Sequence, residues 1–408
     1  MVIFLYKSSD LELWKSWAKQ QGRSNDLLVI NHQDEDVINL LGHYKDKEVI
    51  TAVNALMLLS GLSLGGSSSQ HSEQYWEQAT RQRLHRLLLL TKLSDEPYNI
   101  TTIFQLHNSA PQTPEQLFDE ELIQNSYFNQ VLRKAASNVG EDDKRFKLVE
   151  NYFTREIPYM ADRTQSSILS LTSSILEPFI SSPMLNRIFC GGTTVKIEDM
   201  FGGKIVILNL PIQQFEYSGK VAQIIFKYIL QKQIEVRDLD KYPNPIIMWL
   251  DEYQHFITEY DYLFMSTARS SRAGCVLMTQ NISNLFAQTK GSGRVSEEKV
   301  NSLLSLANHK FFLAQNSFVT NEFASKTIGM GKHQLGSTSV TMDNFQGNAG
   351  ISESYHYEIM PREFTMLKRG GEVNNGIVEA VITATGKRFS NGKNYLKIAF
   401  KQPWVKSK

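Results

Sequence analysis

The run PIIMWLDE (245–252) ends an apolar stretch on two adjacent carboxylates, Asp251 and Glu252. Two carboxylates at the end of a strand can carry out metal-assisted hydrolysis. The first is placed to orient magnesium through water, and the second to activate an attacking water. A strand makes the pair rigid, and its carboxyl end opens on the crevice where parallel α/β sheets bind ligands. The same pattern also describes a plain strand entering a solvated loop, so its neighbours decide. The following apolar run, GCVLMTQ (274–280), ends on Gln280. The step from Glu252 to Gln280 suits one right-handed helical crossover, which sets the two strands side by side. Gln280 is then a sensor of a γ-phosphate or an ordinary strand-end amide. Arg269 and Arg272 lie on or just after the crossover helix. From there an arginine reaches the nucleotide of a neighbouring subunit, or it solvates a helix end.

The elements that must position these residues are legible. Near-continuous apolar runs at 204–210, 245–252, 274–280, 309–315 and 376–383 read as strands buried on both faces. Between the first two, Val221, Ile224, Ile225, Tyr228 and Ile229 follow helical spacing, with Ser218 as a candidate N-cap. Strand and helix in alternation predict a parallel α/β sheet. MVIFLY and DLLVIN (26–31) read as two further strands of that sheet around a short helix. Residues from about Asp34 to Pro183 instead read as helical. One helix carries Trp76, Leu84, Leu87 and Leu88 after the Ser-rich break GGSSSQHSEQ (65–74), and another carries Ile168, Leu171, Ile175 and Leu176. The expected organisation is residues 1–33 as N-terminal strands, 34–185 as an all-helical insert, and 186–408 as the remainder of the α/β domain. The polar stretch 335–355 is expected to be a mobile loop, and GSG at 291–293 another loop.

Composition narrows the class. At 408 residues, 41% of them hydrophobic and 21% charged, the chain has ample material for a globular core. The formal net charge of +1 means that any basic surface must be local. One such surface is visible: Ala380 to Lys408 contains no acidic residue, and Lys387, Arg388, Lys393, Lys397, Lys401, Lys406 and Lys408 interleave with Phe389, Tyr395, Phe400 and Trp404. That composition suits a nucleic-acid contact or a solvated terminal hairpin. Cys190 and Cys275, the two cysteines, exclude a disulfide framework and fit a reducing compartment. The nine histidines lack metal-site spacing. The longest apolar stretch, Val49 to Leu64, falls short of the ~20 residues of a membrane span, and a soluble chain is expected.

The series LDEYQHF, STARSSRAGCVLMTQNISNL, LANHKFFLAQNSFVTNEFASKTIGM and YEIMPREFTMLKRGG resembles the TraG/TraD-like coupling proteins of conjugation and type IV secretion. SEQYWEQATRQRLHRLLLL and SSILSLTSSILEPF fit that family's helical insert. The resemblance implies a RecA-like P-loop NTPase-type sheet with an inserted all-α domain, assembled as a hexamer at the cytoplasmic face of the bacterial inner membrane. It implies ATP and magnesium as cofactors. It also implies single-stranded DNA, relaxase and secretion-channel subunits as partners. By motif match, Asp251 and Glu252 carry over as the Walker B pair, with Asp251 on magnesium, Gln280 as the γ-phosphate sensor, and Arg269 or Arg272 as the trans arginine.

One departure is large. The sequence contains no Gly-x-x-x-x-Gly-Lys-Ser/Thr; CGGTTVK, FGGKIV and IGMGKHQ lack the spacing or the hydroxyl. Without that loop's N–H groups and lysine a triphosphate loses its main anchor. Family members carry the loop upstream of the segment matching Met1 to Asn31, so a coding segment for it is expected upstream. Two other readings stay open. One is a HerA/FtsK-type DNA translocase, against which the helical insert argues. The other is a non-catalytic adaptor that binds relaxase or secretion subunits.

Overall fold

The computed structural model describes residues 1–33, 37–59, 70–289, 294–341 and 346–402. It divides into two compact units, Met1–Asp251 with Thr258–Leu277, and Glu252–Ile257 with Met278–Lys408.

The first unit opens with β1 (Val2–Phe4), α1 (Asp10–Gln20) and β2 (Leu27–Asn31). A helical segment follows: α2 (Val49–Met57), α3 (Gln70–Leu93), α4 (Ile100–Ser109), α5 (Glu120–Asn125), α6 (Tyr127–Val139), α7 (Lys144–Asn151), α8 (Asp162–Ser181) and α9 (Pro183–Phe189). The unit closes with β3 (Ile205–Asn209), α10 (Ile212–Val236), β4 (Ile246–Leu250), α11 (Glu259–Thr267) and β5 (Ala273–Leu277). The five strands form one parallel sheet in the order β2-β3-β1-β4-β5. Every residue of β1 and β3 is buried, whereas every residue of the edge strand β5 is only half-buried. This gradient matches central and edge positions. On one face, α1 lays Trp14 against Trp249 of β4, ring centroids 5.3 Å apart, over Ile3, Leu5, Ala18, Ile205 and Ile207.

Helix α10 is buried on more than its apolar stripe. It is broken near its start at Glu216 (φ 45°, ψ −119°), just before the expected N-cap Ser218. Further along, fully buried Lys227 places Nζ 2.5 Å from Asp261 Oδ2 on α11. The same carboxylate accepts from Gln231 Nε2 at 2.8 Å and from the Thr258 N–H at 2.9 Å, closing a capping box at the start of α11. An ion pair with every charge engaged is the form in which buried charges persist.

Every described element between Asn31 and Ile205 is helical. Helix α3 is its centre, with Leu84, Leu87 and Leu88 wholly buried. Arg83 on α3 donates Nε to His107 Nδ1 of α4 at 3.0 Å and Nη2 to the His107 carbonyl at 3.2 Å. Because arginine only donates, Nδ1 must be the acceptor, and Nε2–H is left to donate to Ser173 Oγ of α8 at 2.9 Å. One polar chain thus ties three helices. No single described helix is long and apolar enough to cross a membrane.

The second unit contains α12 (Ile282–Gln288), α13 (Arg294–Leu306), β6 (His309–Leu313), α14 (Phe318–Ile328), β7 (Met330–Thr341), β8 (Gln346–Tyr357), β9 (Ile377–Ala384) and β10 (Tyr395–Lys401). Here the sequence expectation is corrected twice. The runs at 309–315 and 376–383 do form strands, but β6, β9 and β10 make a separate antiparallel sheet in the order β10-β9-β6. An apolar run reports burial, not strand direction, and β6 is not buried on both faces. Phe311 and Leu313 are 58% and 51% exposed, while Phe312 packs into a core of Ala324, Ile328, Phe364, Leu367 and Val381. The second correction concerns 335–355. Instead of a loop, its described residues belong to β7 and β8, paired from Met330↔Tyr357 to Thr341↔Gln346. A Ser/Thr-rich composition suggests a loop, yet antiparallel pairing satisfies each backbone group whatever the side chain. Residues 65–69, 291–293, 342–345 and the tail with Trp404, Lys406 and Lys408 lie outside the described residues.

Candidate functional site

Strand β4 runs IIMWL, and Asp251 follows its last residue at the carboxyl end of the parallel sheet. The chain then turns sharply. Glu252 adopts φ 51°, ψ 48°, the left-handed region that costs a side-chain-bearing residue of order 1 kcal/mol or more. Such strain persists only where the surroundings over-determine it, and they do here. Glu252 Oε1 accepts from Gln280 Nε2 at 2.9 Å, and Oε2 accepts from Gln254 Nε2 at 2.6 Å. Gln254 is 5% exposed, and its Oε1 accepts from the Thr279 hydroxyl at 2.8 Å. The Tyr253 N–H donates to the Met278 carbonyl at 2.7 Å, binding the two short segments together. Gln315, just past β6, donates Nε2 to the Gln280 carbonyl.

Two predicted site residues, Glu252 and Gln280, are therefore in direct contact through side chains. Three further contributors, Gln254, Thr279 and Gln315, escaped the sequence reading. Gln254 folds back on Glu252 because of the left-handed backbone, which no spacing rule announces. Thr279 and Gln315 are strand-end polar residues of the same kind as Gln280, and that shared position was the available signal.

The arginines are placed differently. Arg269 and Arg272 precede Ala273, at the amino end of β5, whereas Asp251 follows the carboxyl end of the parallel strand β4. Five residues of strand separate the two ends, roughly 16 Å. Arg272 (φ 48°) turns the chain into β5: its carbonyl accepts from the Ile246 N–H at 3.0 Å and its Nη1 donates to the Pro243 carbonyl at 3.2 Å. Arg237 reinforces this corner with bonds to the Asn244 and Ser271 carbonyls at 2.8 and 2.7 Å. Arg269 is exposed. Neither arginine is brought to the Asp251 end of its own sheet.

Magnesium is bound in nucleotide sites through one or two carboxylates plus substrate phosphates. No group of three or more His, Cys, Asp or Glu that could hold a metal alone occurs among the described residues. The phosphates are not provided for, because the sequence has no Gly-x-x-x-x-Gly-Lys-Ser/Thr.

No protein-family model and no curated protein matches the sequence. Solved structures do match. The bacterial conjugative coupling protein TrwBdeltaN70 in its unbound monoclinic form superposes with a TM-score of 0.60 at 10% identity, over 98% of this chain and 84% of that one. Plasmid coupling protein TrwB with the ATP analogue ADPNP gives 0.59 at 10% identity, over 100% and 84%. TrwB with ADP and Mg2+ gives 0.58 at 11% identity, over 100% and 85%. This chain therefore has the RecA-like fold of the conjugative coupling protein TrwB, with an all-helical segment between β2 and β3.

Proposed function

We propose that the chain is the Walker B and sensor part of a TraG/TraD-like coupling ATPase, which delivers relaxase-bound single-stranded DNA to a type IV secretion channel. The observation that carries this reading is the Gln280–Glu252 hydrogen bond, formed by the two strand-end residues that the motif match selected. Asp251 would orient magnesium, Glu252 would polarise the attacking water, and Gln280 would hold Glu252 and meet the terminal phosphate. The placement of Arg269 and Arg272 away from their own carboxylates suits action on a neighbouring subunit in a hexamer, with Arg269 the better candidate because Arg272 is engaged in the corner before β5. Structures of TrwB with ADPNP and with ADP and Mg2+ support nucleotide and magnesium as the ligand class. The cytoplasmic face of the inner membrane follows as the place of work.

The test is phosphate release from ATP by the purified chain, with and without single-stranded DNA. The missing phosphate loop leads to a turnover well below ~1 s⁻¹. When a segment bearing Gly-x-x-x-x-Gly-Lys-Ser/Thr is joined on, hydrolysis is expected and should be lost in Glu252→Gln. A joined protein indifferent to Glu252→Gln would remove the assignment. The same missing loop favours one second reading, an adaptor: relaxase capture by the unmodified chain in the absence of nucleotide would select it.

A further inference from the structure

The second unit contains a cavity of about 460 Å³ that the nucleotide chemistry does not use. It is lined by Asn308, Lys310, Thr327, Thr385, Lys387 and Arg388, with three cations and no carboxylate among the lining residues. Lys310 spends one N–H on the Ala307 carbonyl at 2.6 Å, and two donors of its ammonium remain. Burial lowers its pKa, so its charge is under-solvated as it stands. The Lys387 ammonium lies 5.4 Å over the Phe389 ring. Among the described residues, neither Lys387 nor Arg388 pairs with an acid; the nearby Glu358 is already engaged by Lys393 at 2.5 Å and by the Tyr395 hydroxyl at 3.2 Å. Three cations converging on hydroxyls and amides with no internal counter-ion form a receptor for phosphate oxygens.

Strand register extends the site. Lys310 pairs with Thr383 and Thr383 with Tyr395, so all three project from one sheet face. Lys397 and Lys401 stand on that same face of β10, both exposed, about 13 Å apart along the strand. A basic track thus leaves the cavity along β10, on the sheet face opposite Phe400. An isolated phosphate would need the cavity alone. A track of cations suits a chain of phosphates.

We infer that the cavity at Lys310, Lys387 and Arg388, continued by Lys397 and Lys401, binds the phosphodiester backbone of a single-stranded nucleic acid. The choice of nucleic acid over other phosphate carriers rests on the DNA-handling role proposed above; the anion site itself does not depend on ATP hydrolysis.

The test is fluorescence anisotropy of a labelled single-stranded oligonucleotide titrated with the full chain at several salt concentrations. Lys387→Gln/Arg388→Gln is expected to weaken binding at least ~10-fold and to flatten the salt slope by about 1 to 1.5. Lys45→Gln/Lys144→Gln removes equal charge from the first unit and should leave both unchanged. Thr385→Asp, a negative charge added to the cavity lining that repels phosphate, should weaken binding as much as the double variant. Equal effects of the cavity and control variants would overturn the inference. So would displacement of the oligonucleotide by inorganic phosphate or ATP at matched phosphate concentration, which would assign the cavity to a free anion. Lost oligonucleotide binding in the cavity variants supports the inference whether or not ATP is hydrolysed, and intact binding beside an active ATPase overturns it without touching the ATPase reading.

Discussion

Gln280 donates its side-chain amide to Glu252 Oε1 at 2.9 Å, from a position three residues beyond β5 to one two residues beyond β4. With Gln254 holding the other carboxylate oxygen at 2.6 Å, Glu252 is fixed from both sides while its backbone sits in the left-handed region.

This arrangement predicts how Glu252→Gln behaves. A glutamine at 252 presents an N–H₂ where one of the two amides also presents N–H₂. Gln254 cannot turn over without losing the Thr279 hydroxyl, so the exposed Gln280 turns instead. The expected loss is about 1 to 2 kcal/mol from one charge-assisted bond, measured by urea unfolding. In a loop-bearing version, nucleotide binding should persist while hydrolysis falls by roughly 10²-fold or more. Gln254→Ala should reduce hydrolysis too, and a variant with full activity would show that the second clamp is idle.

The Lys227–Asp261 pair makes a sharper stability prediction. Lys227→Met leaves Asp261 buried with its charge uncompensated and should cost about 3 to 5 kcal/mol. The Trp14–Trp249 contact gives a fluorescence reporter within the same unit. Lys227→Met/Asp261→Leu should be more stable than the single variant, because it removes the orphaned charge. A single variant within 1 kcal/mol of the parent would mean that water reaches the carboxylate.

Acid should loosen the helical segment. Burial first, then the adjacent Arg83 guanidinium, pushes the His107 pKa from 6.5 down to about 3. The unfolded chain therefore takes up a proton that the folded chain refuses. Stability contributed by neutral His107 is complete above pH 6.5 and is lost as pH falls from 6.5 toward 3, by about 2 kcal/mol at pH 5. His107→Asn keeps an acceptor for Arg83 and removes the titration. Its unfolding free energy should fall less steeply between pH 6.5 and 5; an unchanged slope would assign the acid sensitivity elsewhere, first to His43, whose pKa burial lowers to about 4.

Thiol chemistry probes the first unit. Burial pushes Cys190 up to about 11, and burial together with the Asp261 carboxylate pushes Cys275 up to about 12. At pH 8 both are overwhelmingly protonated and unreactive. Ellman's reagent should count no thiol in the native chain and two in denaturant. One fast native thiol would mean that the β5 edge opens.

Read as sequence alone, the chain announces much of this. The five parallel strands, the helical segment between β2 and β3, and the strand-end placement of Asp251, Glu252 and Gln280 all follow from apolar runs and their spacing, because burial on two faces demands continuous apolar residues. Tertiary structure decided the rest. Whether β6 and β9 run with or against a neighbour is set by which edge is met after the intervening helix and hairpin, and Val381 and Phe312 are equally apolar in either direction. The left-handed turn at Glu252 is unfavourable by itself, and it presents a carboxylate on which Gln280 and Gln254 converge. The polar chain Arg83–His107–Ser173 likewise joins residues far apart in sequence, whose partners are named only when three helices pack. Local pattern carries where strands and helices form; two-sided burial, direction, strain and polar partnership are properties of contacts between distant segments, which only the folded chain brings together.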